Sequence, residues 1–163
     1  MSRIHTSFLA PIALAIALAG CAAYSGAGLR PGSSTADDVR RQMGPPGLEL
    51  AEPAGGRLLI YPKGPLGTQT FIARVDSHGM LESIDQVLDD SHFQAIHEGQ
   101  TKDEVLRLIG PPGETMRFPT GNLAWTYRYV DTWGYTSDFS VTFDPEGIVV
   151  SKIAVRLQRD HVK

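Results

Sequence analysis

Apolar residues recur along the chain with two different periods, and the alternation between them traces the same succession of elements twice. Over 101–110, Val105, Leu108 and Ile109 fall at i, i+3 and i+4 behind Thr101, Asp103 and Glu104. That spacing puts one apolar stripe on one face of a helix. Thr101 is placed to cap it, the acids suit the positive end of its dipole, and Gly110 followed by Pro111 and Pro112 stops it. Thr35, Asp37, Asp38, Val39, Met43 and Gly44-Pro45-Pro46-Gly47 repeat the pattern, with Gly44 and Gly110 66 residues apart. The chain therefore reads as one unit present twice.

After each Gly-Pro-Pro-Gly the apolar period drops to two. In the first unit a polar, glycine-containing stretch to Gly56 precedes a strand over 57–62, with Leu59 and Tyr61 on one side and Leu58 and Ile60 on the other. A second strand is expected over 68–76 with Phe71, Ala73 and Val75 inward. A third covers 80–88, where the imperfect alternation of Ile84, Val87 and Leu88 suits a bulge. In the second unit Ser91 is placed to cap a short helix over 92–97, and the marked helix spans 102–109. Strands follow over 122–130, 138–144 and 148–157. Leu123, Trp125, Tyr127 and Tyr129 alternate in the first of these, Phe139, Val141 and Phe143 in the second. Val149, Ile153, Val155 and Leu157 are expected on one face of the third.

Helices and strands are thus segregated, which predicts an α+β fold. It would hold two tandem units, residues 31–88 and 89–163, each one or two short helices packed on a three-stranded antiparallel sheet. A unit of this size buries a marginal core alone. The two are therefore expected to pack together, with one continuous sheet or groove as a form that packing could take.

Composition changes this picture little. Of 163 residues, 42% are hydrophobic and 20% charged, which suits a globular protein. The net charge of −3 offers no basic face for nucleic acid. The single cysteine, Cys21, excludes an internal disulfide and a paired-cysteine metal site. Its position gives it another meaning. Arg3 and His5 precede an apolar run over 8–18, far shorter than the ~20 residues that cross a bilayer, and this reads as the core of a signal peptide. The run ends in Leu18-Ala19-Gly20-Cys21, which resembles the bacterial lipobox. The resemblance implies removal of residues 1–20 and acylation of Cys21, with 21–30 as a lipidated flexible tether. Ala22 stands where an Asp would signal inner-membrane retention, so the expected location is the outer membrane, facing the periplasm.

No catalytic constellation stands out. His78, His92, His97 and His161 are scattered, and His92 and His97 are spaced unlike zinc ligands. Asp37, Asp38, Asp103 and Glu104 are accounted for at helix N-termini. Gly-Pro-Pro-Gly lacks the N–H groups that cradle a phosphate. Trp125 and Tyr127 lie in an alternating strand, where core packing explains them. Trp133 and Tyr135 are different: they flank Gly134 in a hairpin tip with little core available, and exposed aromatics favour interfaces. Tyr61, Lys63 and Leu66 are the symmetric candidates in the first hairpin. The chain is accordingly expected not to be an enzyme and to need no cofactor, metal or small-molecule substrate.

Gly99, Thr101, Val105, Gly110, Pro111, Trp125, Tyr127, Val141, Phe143, Asp144 and Gly147 together resemble the SmpA/OmlA (BamE-like) lipoprotein family. The first unit keeps Thr35, Val39, Gly44, Pro45, Tyr61, Asp76 and Gly79 but has Leu59 in place of Trp. The resemblance implies an outer-membrane lipoprotein that works by binding, with a protein partner in the β-barrel assembly machinery. The tandem layout is also similar to that of the β-lactamase inhibitor protein, which implies the alternative of a periplasmic enzyme inhibitor or regulator. Replacing Cys21→Ser is expected to abolish acyl labelling and release the chain from membranes; labelling that persists in the variant contradicts the lipobox reading.

Overall fold

In the computed structural model, which describes residues 26–62 and 67–157, the duplicated pattern becomes two four-stranded antiparallel sheets. The first unit runs α1 (Ala36–Met43), β1 (Leu48–Ala51), β2 (Arg57–Pro62), β3 (Thr70–Val75) and β4 (Leu81–Gln86). The second runs α2 (Asp90–Gln94), α3 (Lys102–Ile109), β5 (Glu114–Arg117), β6 (Leu123–Val130), β7 (Thr136–Phe143) and β8 (Val149–Arg156). Each sheet is a meander in chain order. The signal peptide, Cys21, Lys63 and Leu66 lie outside the described residues.

The helix signals act as the sequence implies. Thr35 and Thr101 both form capping boxes, accepting from the N–H of Asp38 and Glu104 while those carboxylates accept from the threonine N–H. These bonds hold the Asp38 and Glu104 carboxyls below their usual range, the backbone N–H being the largest cause. Each threonine also bridges to the first residues after its Asp-x-x-Gly turn, Thr35 to Met80 and Thr101 to Ile148, so helix start and third-hairpin strand are tied together identically in both units.

Three expectations need correction. The sheets have four strands each, because the residues directly after Gly-Pro-Pro-Gly pair with the next strand: Leu48 with Ile60 and Leu50 with Leu58 in one unit, Glu114 with Thr126 and Met116 with Ala124 in the other. The short helix is capped by Asp89, whose carboxylate accepts from the His92 N–H, rather than by Ser91, and it starts two residues earlier. In β8, Val149 is buried but Ile153 and Val155 are 61% and 50% exposed. The cause is a register shift between Thr142 and Phe143. One extra residue in β8 inverts the alternation beyond it. The same shift occurs between Arg74 and Val75 in the first unit.

The units share a core instead of extending one sheet. The face of the first sheet bearing Leu59, Tyr61, Ala73 and Val75 packs on Val39 and Met43 of α1. Its other face, with Leu58, Ile60 and Ile72, joins Val105 and Ile109 of α3 and Phe93 and Ile96 near α2. Those helices lie in turn on Tyr127, Tyr129, Phe139, Val141 and Phe143 of the second sheet. The layers are therefore α1, first sheet, α2 with α3, second sheet. Arg107 on α3 donates to the Ala51 carbonyl of β1 at 2.8 Å, and Tyr127 donates to the Gly110 carbonyl at 3.1 Å. The outer face of the second sheet has no covering layer among the described residues, and there the repeat is more polar: Leu48, Leu50, Leu58 and Ile60 are matched by Glu114, Met116, Ala124 and Thr126.

The seam is tightest at Gly110. Both helix-ending glycines have positive φ, +84° at Gly44 and +79° at Gly110. A methyl on Gly44 would meet nothing within 4 Å, whereas one on Gly110 would come within 2.9 Å of Thr70 Cγ2 and 3.1 Å of Ile60 Cγ2. Gly44→Ala is expected to cost only backbone strain, about 1–3 kcal/mol, because φ +84° with ψ −171° is a region that side-chain-bearing residues rarely adopt. Gly110→Ala should add an overpacking cost of about 1–3 kcal/mol. Urea unfolding of the two variants measures the difference; equal losses would show that the seam is loose.

Candidate functional site

The β6–β7 hairpin is built around Asp131. Residues 131–134 form an Asp-x-x-Gly turn like those at Asp76 and Asp144, with Gly134 at φ +80° supplying the left-handed position. One Asp131 carboxylate oxygen accepts from the N–H groups of Trp133 and Tyr135, both at 2.9 Å. The other accepts from Arg156 Nε and Nη2 at 3.0 and 2.8 Å. Arg156, so fixed, lies over the Tyr135 ring with its guanidinium carbon 4.2 Å from the ring centroid. Turn, strand β8 and aromatic ring are thus cross-braced through one carboxylate.

What this bracing holds out is Trp133, 78% exposed, with Tyr135 47% and Val130 48% exposed beside it. Tryptophan, tyrosine and arginine are the residue types that dominate binding hot spots. A tip fixed before binding loses less entropy when bound. Expulsion from solvent works against ionisation of Asp131, but the hydrogen bonds from Tyr135, Arg156 and Trp133 outweigh it and hold the carboxyl below its usual value of 3.8.

The other aromatic candidates are core residues. Tyr61, expected at the surface of the first hairpin, is 2% exposed and packs in the α1 core. Because both faces of the first sheet are covered, alternation in β2 leaves no surface side for it. Tyr127 is 1% exposed, and burial pushes its phenol well up from 10. Trp125 is half-buried and meets Phe143 edge-on at 4.8 Å between centroids. The residue missed by sequence reading is Arg156, the last of β8. Its signal is an arginine at the end of a strand antiparallel to one that follows an Asp-x-x-Gly tip.

The polar clusters elsewhere are internally committed. A hollow of 380 Å³ beside the α1 start is lined by Asp37, Arg40, Arg57, Asp76 and His78, among others. Arg40 pairs with Asp37 and Glu49, Arg57 with Glu49, and Asp76 accepts from the His78 and Met80 N–H groups. Among the described residues no three His, Cys, Asp or Glu side chains are grouped to hold a metal. Nor is any helix there long and apolar enough to cross a membrane.

Compared with models of known families the chain matches none, and no curated protein sequence matches it. Among solved structures it is similar to an osmotically inducible lipoprotein, OsmE, with 25% identity over 43% of this chain and 75% of that one and a TM-score of 0.35. It is also similar to YjgB, a DUF4309 family protein from Bacillus subtilis subsp. subtilis str. 168, with 14% identity over 81% of this chain and 84% of that one and a TM-score of 0.31. Superpositions this loose carry no function across.

Asp131 sets the acid behaviour of the tip. Its carboxyl is depressed in the folded state, so its contribution is full above the unfolded value of 3.8 and is lost as pH falls through the lower folded value. The order of the tip, read from Trp133 fluorescence anisotropy in a Trp125→Phe background, should hold from pH 8 to pH 5 and fall only below 3.8. Asp131→Ala should give the disordered signal at all pH values; an unchanged signal would show that the tip needs no brace.

Proposed function

We propose that the chain is a non-enzymatic, lipid-anchored outer-membrane protein, facing the periplasm, that binds a protein partner of the envelope through the Trp133–Tyr135 tip. The observation that carries this reading is the braced display of Trp133. A large aromatic held 78% exposed by a turn that spends two backbone N–H groups and an ion pair on its geometry costs solubility and adds nothing to the core. The anchor rests on the lipobox at Cys21, and the role in β-barrel assembly or envelope maintenance rests on the motif resemblance to BamE-like lipoproteins. Among the described residues the charged clusters are committed to one another, and the Ser91 hydroxyl and the His92 ring are both bonded to the helix-capping Asp89, which supports binding over catalysis.

A second reading, inhibition or regulation of a periplasmic enzyme, is favoured by the same hairpin, since a rigid projecting tip with an aromatic at its end suits insertion into a cleft. Capture from solubilised outer membrane separates the two. Recovery of barrel-assembly subunits, lost with Trp133→Ala, is expected on the first reading. Removal of a hot-spot aromatic of this kind should cost about 2 kcal/mol of binding or more. Recovery of a single soluble hydrolase would replace the first reading by the second. Capture unaffected by Trp133→Ala would place the contact elsewhere.

A further inference from the structure

The two sheets have four edges, and three of them are blunted. β1 and β5 are four residues long, and β4 carries the exposed acids Glu82 and Asp85. Short edge strands and edge charges are the ordinary defences against pairing with a further strand. β8 is the exception. It is eight residues long, its residues 150–156 are exposed, and Ile153 and Val155 point outward from it. Among the described residues only its first meets other backbone on the open side, through the Gly99 N–H to the Val149 carbonyl and the Val149 N–H to the Gln100 carbonyl. Its two charges do not guard it. Lys152 Nζ is spent on the carbonyls of Phe93, Gln94 and Ile96, and Arg156 on Asp131.

The helix-facing side of this edge is hollow, and the repeat shows why. Ala154 pairs with Phe139 as Gln86 pairs with Phe71 in the first unit. There the Gln86 side chain fills the place, accepting from the Thr70 and Leu88 N–H groups at 3.2 and 2.7 Å and donating to the Leu88 carbonyl. With alanine instead, a hollow of 350 Å³ opens over Lys152 and Ala154 against Phe93 and Phe139. A second of 330 Å³ opens over Ala154 and Arg156 towards Trp133. The two share Asp90 and Ala154, so they form one groove with two places spaced two residues apart along β8. That is the spacing of side chains on one face of an added strand, whose main chain would take up the open hydrogen bonds of the edge.

We infer that β8 is a strand-addition site that takes an extended, uncharged peptide segment with apolar side chains at alternate positions. Charge decides the occupant. The groove holds two acids and two bases, Asp90, Asp131, Lys152 and Arg156, and three of them are committed within the chain while Asp90 accepts the Tyr129 hydroxyl at 3.4 Å. A charged side chain entering the groove would lose its hydration where Asp131 and Arg156 are already paired with each other and the Lys152 ammonium is already held by three carbonyls. A second copy of β8 fits worse: it would bring its own Lys152 and Arg156 to an edge that already carries both. The inference rests on the reading that the chain acts by binding, and the β8 groove adjoins the Trp133 tip at one end.

The test uses the detergent-solubilised full chain and a fluorescein-labelled octapeptide of alternating threonine and valine, with phenylalanine at one central valine position. The expected result is saturable binding by anisotropy, with slowed amide exchange over 150–156. Ile153→Asp and Ala154→Gln import the residues that close the equivalent edge of the first unit, and each should weaken binding about tenfold or more, while Met116→Ala on the far edge should not. A peptide of the same composition with its valines contiguous should bind weakly. No binding, or protection elsewhere than β8, overturns the inference. A dimer by sedimentation that Ile153→Asp dissolves also overturns it, since a second copy would then hold the edge. If peptide binding fails while partner capture still depends on Trp133, only the strand-addition inference falls.

Discussion

The fold depends on burial of the Leu58–Ile60–Ile72 face of the first sheet under α3 of the second unit. A four-stranded sheet with one helix on one face leaves its other face in water, and that face here is apolar. Closing it with the next unit's helices gives the first sheet two covered faces and gives α3 two sheets to pack on. Full burial of a side chain such as leucine or isoleucine contributes about 1.5–3 kcal/mol, so three of them at one seam are a large fraction of a small domain's stability. Everything placed by the second sheet, the β6–β7 tip included, is positioned through this contact.

The same seam explains the asymmetry between two units of one design. In the first, the outer sheet face is leucine and isoleucine because a helix layer lies on it. In the second, the equivalent positions are Glu114, Met116, Ala124 and Thr126. The Arg128–Asp138 ion pair and the Thr126–Ser140 hydrogen bond satisfy that face within the sheet. Among the described residues no layer covers this face, and it is polar where the equivalent face of the first sheet, under a helix layer, is apolar. Most of the second unit's exposed large apolar side chains, Val130, Trp133, Tyr135, Val150, Ile153 and Val155, lie at the β6–β7 tip and along β8.

Much of this was legible in the sequence, for reasons that can be named. The 66-residue repeat, both capping threonines, the helix stops and the phase of Leu123, Trp125, Tyr127 and Tyr129 are local signals, and each acts locally in the structure. β1 and β5 were missed because four-residue strands in polar stretches carry little periodicity, although Leu48 and Leu50 already alternate. Alternation in β2 separates Leu59 and Tyr61 from Leu58 and Ile60, but it does not say that both sides are covered, so the burial of Tyr61 cannot be read from it. The outward turn of Ile153 and Val155 depends on one bulge residue that no pattern in β8 marks. Trp133 and Tyr135 were found because a hairpin tip offers them no core. Arg156 and the Asp131 brace were not, because they join residues 25 apart.

The central claim is that the two units fold as one body through the shared core. Both tryptophans, Trp125 and Trp133, belong to the second unit, so their fluorescence reports it alone, while amide exchange at Ile60 and Ile72 reports the first sheet. A urea titration followed by both probes should give one coincident transition. Separate midpoints, with the first sheet staying protected after the tryptophan signal has been lost, would contradict it.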